Sequence, residues 1–218
     1  MSYVNSFGVV VETDEDRARE TPARAEKTMV FSNQAPKTIA QWAREAHRVS
    51  KEHGWHDDPD DGKPARMPIR VALLHSEVSE LLEAFRKEPH APCDKPGLLL
   101  SCAAEELADI VLRFFDFMVE FHVDVERLFG DETFESAHAD ERRAMARNDY
   151  DWTGMSRAIC DMHKTIGLLE IYPMSEAYAL FYRCVRFAIH NGIDLELAVA
   201  TKHAYNQTRS HRHGGKAF

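Results

Sequence analysis

Two pairs of carboxylates, Glu77–Glu80 and Glu106–Asp109, each stand three residues apart in stretches whose apolar residues recur at helical steps. That spacing puts both members of a pair on one helix face, and a turn between consecutive helices lets the pairs converge. In the first stretch Leu74, Val78, Leu81, Leu82 and Phe85 cover one face; Glu77 falls inside that arc, Glu80 at its edge, and Glu83 points well away. In the second, the apolar residues from Leu107 to Phe121 wrap most of the circumference and leave one narrow polar stripe: Glu106, Asp109, Arg113, Asp116 and Glu120. A solvated face would be wider, so this stripe is expected to meet another part of the protein or a ligand. A carboxylate among apolar groups is costly unless a cation offsets it, and four converging carboxylates repel one another. Oxygen-only donors suit Mg²⁺, with Mn²⁺ as a substitute, and carboxylate-held Mg²⁺ usually takes phosphate oxygens as its remaining ligands.

The C-terminal stretch KHAYNQTRSHRHGGKAF supplies the opposite charge: Lys202, Arg209, Arg212, His213 and Lys216, with Asn206 among them. Lys202, Asn206 and Arg209 follow at helical steps of four and three, hence on one face. Gly214 and Gly215 then allow a backbone to approach an anion closely. In an acidic protein with a four-carboxylate site, phosphate binding explains this basic segment better than solvation does. His211 and His213 form an HxH without a cysteine or a third nearby ligand, a weak zinc signal.

The elements that position these residues read as helices. From Thr38, Ile39, Trp42, Ala43, Ala46 and Val49 repeat at three- and four-residue steps until HGWHDDPDDGKPAR, where Gly54, Pro59, Gly62 and Pro64 break the pattern. A second helix is expected from about Ile69 to Lys87, a proline-containing loop after it, and a third, buried helix from about Leu98 to Phe121. Strand signals are nearly confined to Val9–Val11, so the fold class is all-α, a helical bundle. Residues 1–37 read as an N-terminal arm, 38–129 as a first repeat, 130–154 as a linker, and 155–218 as a degenerate second repeat. EELADIVLRFFDFMVEFHVDVE can be laid on SEAYALFYRCVRFAIHNGIDLE at a constant offset of 70. Glu106 then meets Glu176, Asp109 Ala179, Arg113 Arg183, Asp116 Arg186 and Glu120 His190; upstream, Lys164 stands where Glu77 would be. The apolar pattern survives while the acids do not, so the second copy is expected to fold like the first and bind no metal.

Of 218 residues, 27 are Lys or Arg and 36 Asp or Glu, for a net charge of −9, which argues against a general nucleic-acid partner. No apolar run reaches the length of a membrane span, and the N-terminus lacks the pattern of a signal peptide. Cys93, Cys102, Cys160 and Cys184 show no CxxC and read as reduced thiols of a cytoplasmic protein.

Taken together, LLHSEVSELLEAFR, EELADIVLRFFDF and GIDLELAVATKHAYNQTRSHRHGGK resemble the MazG-like branch of the all-α NTP pyrophosphohydrolases, and TIAQWAREAHRVSKEHGWHDDP resembles the helix and aromatic loop that precede its first motif. The resemblance covers roughly residues 38 to 128 and 192 to 216. It implies hydrolysis of (d)NTP to (d)NMP and pyrophosphate, in the manner of nucleotide-pool house-cleaning, with Mg²⁺ held by Glu77, Glu80, Glu106 and Asp109. By the same resemblance Lys202, Asn206 and Arg209 contact phosphate and sugar; in a site so built, Glu77 or Glu80 is expected to orient or deprotonate the attacking water, and Lys202 and Arg209, with Arg212 or Lys216, to stabilise the leaving pyrophosphate. Trp55 and Tyr205 are candidates for stacking on base or sugar, or else bundle-core aromatics. In the typical member the Lys-Tyr-Asn segment follows the ExxD helix almost directly. Here the linker and the worn repeat intervene, which implies an internal pseudo-dimer with one working site per chain, as a monomer or within a homodimer, the cations acting in cis or in trans. A di-iron carboxylate bundle would need two Glu-x-x-His motifs, and only Glu135–His138 matches. A non-catalytic nucleotide-binding or structural protein that kept the fold is the other reading, disfavoured by four intact acids.

Overall fold

The computed structural model describes residues 3–4, 10–11, 35–57, 63–147 and 154–211. The chain divides into two units, Met1–Pro36 and Lys37–Phe218. In the first, β1 (Tyr3–Val4) pairs antiparallel with β2 (Val10–Val11), Tyr3 opposite Val11. The second is all-α among its described residues.

Its first helix, α1 (Ile39–Glu52), starts at a capping box: Thr38 Oγ1 accepts from the Gln41 amide at 3.2 Å, and Gln41 Oε1 accepts from the Thr38 amide at 2.9 Å. Its apolar stripe, Ile39 to Val49, is buried as the spacing requires. α2 (Lys63–Arg86) begins six residues earlier than expected. Pro64 falls in the first turn, where a missing N–H costs nothing, and Pro68 removes a single bond in the second turn. α3 (Cys102–Glu120) starts later than expected, because Leu98 is held in the preceding loop by a bond from its amide to the Lys95 carbonyl, and Ser101 Oγ caps the helix by accepting from the Ala104 amide. The rest of the chain forms α4 (Val125–Phe129), α5 (Phe134–Arg147), α6 (Met155–Leu168), α7 (Pro173–His190) and α8 (Leu195–Gln207). The stretch read as a linker thus contains α5, a polar helix that packs on α7 with little more than Phe134 and Ala137 as its apolar contribution.

α3 is the hub, as its apolar circumference predicted, touching α1, α2, α7 and α8. Phe114, Phe115, Phe117, Phe181 and Phe187 are fully buried, and Phe181 of α7 lies 6.2 Å from Phe115, 5.1 Å from Phe129 and 5.8 Å from Phe134, ring centre to ring centre. These rings join the two halves of the bundle in one core, each pair adding to simple burial of area. Just ahead of α1 and α5, Thr38 and Thr133 form an antiparallel bridge, and the Ile39 amide donates to the Glu132 carbonyl at 2.7 Å. No described helix is long and apolar enough to cross a membrane.

Candidate metal and phosphate site

Every residue of the polar stripe on α3 meets something. Glu106 comes together with Glu77 and Glu80 of α2, one carboxylate oxygen of each lying within 4.8 Å of the others. Arg113 donates to Glu77 through Nε. Asp109 receives Lys202 Nζ at 2.7 Å and lies 3.7 Å from Lys95 Nζ. Asp116 accepts from Ser50 Oγ at 2.7 Å and contacts His47 Nδ1 at 2.7 Å and His56 Nε2 at 3.0 Å. Glu120 accepts from Arg70 Nε at 2.7 Å and lies 3.4 Å from His56 Nδ1. The narrow stripe is a seam of partners and not a solvated face.

A cavity of about 280 Å³ opens along this seam, lined by Glu77 and Glu80, by Lys95 of the α2–α3 loop, by Asp109, Arg113 and Asp116 of α3, by Ser50 and Trp55, and by His203, Asn206 and Arg209 at the end of α8. Glu83, which the helical phase pointed away, pairs on the outside with Arg86 and Lys87. The acids are not equivalent. Glu77 is buried, Glu80 is exposed and accepts from Ser76 Oγ at 3.2 Å, and Glu106 is half-buried with its Oε2 shut off from solvent and lacking a hydrogen-bond partner among the described residues. Burial, then repulsion from Asp109, Glu80 and Glu77, pushes the Glu106 carboxyl up to about 7. Burial likewise raises Glu77 against the pull of Arg113. Three converging carboxylates, one of them with an oxygen lacking a partner among the described residues, offer the oxygen donors that fit a hard divalent cation.

Lys202, expected at phosphate, is instead 1% exposed and pairs with Glu105 as well as Asp109. The partners belong to the same chain, so α8 meets α3 in cis. Glu105 and Lys95 escaped the sequence reading. Glu105 was legible as a carboxylate on the apolar arc with Ala108 and Leu112; Lys95, in a loop, had no periodic signal. Burial and the neighbouring Lys202 push the Lys95 ammonium down. Asn206 and Arg209 do face the cavity, with Asn206 Oδ1 buried and without a partner among the described residues. Tyr205 is half-buried, its ring centre 5.9 Å from Lys202 Nζ and 6.0 Å from the Arg209 guanidinium carbon. Trp55 lines the cavity and its carbonyl accepts from Arg70 at 2.7 Å. Arg212, His213 and Lys216, together with Gly214 and Gly215, lie outside the described residues.

The Glu106 shift has a consequence for stability. Its folded form holds a proton up to about 7 whereas an unfolded glutamate releases it near 4.5, so the metal-free protein is expected to lose stability as pH rises between those values. Allowing for solvent screening at a partly exposed group, the loss is about 1–2 kcal/mol. Urea melts of wild type and Glu106→Gln from acid to neutral pH check this: the difference between them should grow across the window, and a constant difference would contradict it.

No family model, curated protein or solved structure matches this chain.

Proposed function

We propose that this protein is a Mg²⁺-dependent nucleoside triphosphate pyrophosphohydrolase of MazG-like type, cleaving (d)NTP to (d)NMP and pyrophosphate in the clearance of unwanted nucleotides. The observation that carries the reading is the meeting of Glu77, Glu80 and Glu106 within 4.8 Å beside a cavity that Asn206 and Arg209 also line. Acids from two helices thus line one space with Asn206 and Arg209 from the end of a third, and the residues concerned belong to the ExxE, ExxD and KxxYNxxR motifs. The four intact acids of the ExxE and ExxD motifs disfavour the non-catalytic alternative.

The residues present fit Mg²⁺: Glu77, Glu80, Glu106 and Asp109 would hold it, and when bound it neutralises triphosphate oxygens and the charge of the in-line transition state. Glu77, whose proton affinity burial raises, is suited to take the proton of the attacking water, with Glu80 orienting that water. Arg209 and Asn206 bind phosphate and sugar oxygens, and Arg113, released from Glu77 when the acids are otherwise neutralised, supplies a further cation to the leaving pyrophosphate. Lys202 acts through Asp109, fixing its carboxylate, and Trp55 offers its ring to the base. We further infer that α1–α4 and α5–α8 are two copies of one four-helix unit. α3 and α7 end, and α4 and α8 begin after Asp124 and Asp194, at the offset that aligns the sequences, and the Thr38–Thr133 bridge marks equivalent starts. On this inference the second copy begins near α5, ahead of the residue 155 at which the sequence alone suggests it.

Colorimetric phosphate release across a panel of NTPs and dNTPs, with Mg²⁺ and added inorganic pyrophosphatase, tests the reading. Phosphate that appears only when pyrophosphatase is present is the expected result. Its absence with every nucleotide, while an analogue still binds, would favour the non-catalytic alternative.

A further inference from the structure

We propose that His47, His56 and Asp116 form a second cation site, of mixed nitrogen and oxygen donors, for a transition metal ion of the Zn²⁺ class. The site stands on residues separate from the acid cluster, and its argument does not depend on the hydrolase reading. His47 comes from α1, His56 from the loop that follows it, and Asp116 from α3, and one ligand atom of each lies within 4.8 Å of the others. His47 Nδ1 is 2.7 Å from Asp116 Oδ1, and His56 Nε2 is 3.0 Å and 3.2 Å from its two oxygens. A tetrahedral ion with bonds of about 2.0–2.1 Å separates its ligand atoms by about 3.3 Å. Opening the Asp116 separations to that value takes shifts of a few tenths of an ångström, and the ligand nitrogens of the two imidazoles already lie within 4.8 Å of each other.

The surroundings have the organisation of a ligand shell. The ring nitrogen of His56 that faces away from Asp116, Nδ1, lies 3.4 Å from Glu120 Oε1, and Glu120 is in turn held by Arg70 at 2.7 Å and approached by Arg66 at 3.7 Å. A metal-binding imidazole usually directs its second nitrogen to a carboxylate in this way, which fixes tautomer and ring orientation. The ligating carboxylate is also anchored, by Ser50 Oγ on its Oδ2 at 2.7 Å. The side chains of His56, Asp116 and His47 are 7%, 11% and 23% exposed, so little water competes, while Asp116 and Ser50 line the cavity and leave that side open to a further ligand. Two imidazoles and one carboxylate select a softer ion than the oxygen-only set of Glu77, Glu80 and Glu106, so the two sites would sort metals by chemistry. Such an ion would tie the loop carrying Trp55 to the central helix.

Co²⁺ distinguishes the sites, because a four- or five-coordinate nitrogen-containing site gives an intense visible band and an octahedral all-oxygen site a weak one. The full chain, stripped with chelator and titrated with Co²⁺, is expected to develop an intense band that saturates at equimolar metal and is displaced by Zn²⁺. The band should persist in the double variant Glu80→Gln/Glu106→Gln and vanish in His47→Gln and in His56→Gln. A wild type that shows only the weak band, or an intense band that survives both histidine variants, overturns the proposal. As a readout that needs no variant, Zn²⁺ should shift imidazole ¹⁵N resonances of two histidines in the wild type; unshifted resonances overturn it equally.

Discussion

Glu80→Gln is expected to lower Mg²⁺-dependent pyrophosphate release by roughly 10²–10⁴-fold, the range for loss of a group that handles the reacting proton or its water. The side chain is exposed and accepts a hydrogen bond from Ser76, so its replacement by an isosteric amide should change stability by no more than about 0.5 kcal/mol. The same change removes one of three converging charges, which eases repulsion in the metal-free protein. The variant should therefore melt at or slightly above the wild-type temperature and bind Mn²⁺ more weakly by calorimetry. Activity retained at wild-type level would take the acid cluster out of catalysis. A collapse in melting temperature would show instead that Glu80 serves the fold.

Lys202→Met is expected to cost about 1.5–3 kcal/mol, the scale for a lost hydrogen bond to a charged group, because Lys95 still contacts both Glu105 and Asp109. The ammonium is 1% exposed and is shared by Glu105, itself 2% exposed, and Asp109. At roughly 2–4 °C per kcal/mol for a protein of this size, the melting temperature should fall by roughly 3–12 °C. Adding Glu105→Leu should restore much of the loss, since an apolar pair of similar volume replaces a buried ion pair at little cost. A double variant no more stable than the single one would contradict this account. The result also separates two roles for Lys202: a phosphate contact would weaken nucleotide binding without a large change in melting.

The contrast shows what the sequence could and could not carry. The central burial of α3 and the convergence of Glu77, Glu80 and Glu106 follow from helical phase, a local property that periodicity reports. What phase cannot report is which face of a distant helix arrives opposite. Lys202 was legible as a cation on the face it shares with Asn206 and Arg209, yet its burial against Glu105 depends on how α8 crosses α3. The same holds for Asp116, flagged by the polar stripe, whose histidine partners lie some sixty residues upstream. Repulsion alone would rank Asp109→Asn as harmless to the metal-free fold; the pairing with Lys202 makes it costly. At α5 the failure was one of amplitude: with Phe134 and Ala137 as its buried apolar residues, a helix looks like a polar connection. At α2 it was an over-reading of proline as a stop where the first turn tolerates it.

The ion pair between Glu105 and Lys202 joins residues 97 positions apart on one polypeptide. A pocket closed by such a covalently tethered contact has no dissociation constant of its own: its two walls face each other at the effective concentration set by the fold, however dilute the protein. Specific activity should then be independent of enzyme concentration down to the detection limit, where an active site shared between separate subunits would fade as they part. On the proposed reading of two copies in one chain, the tether also frees the halves from identity. In a pairing of like chains every substitution appears twice, whereas here one half can hold the acids and the other supply the cations, each altered without disturbing its counterpart.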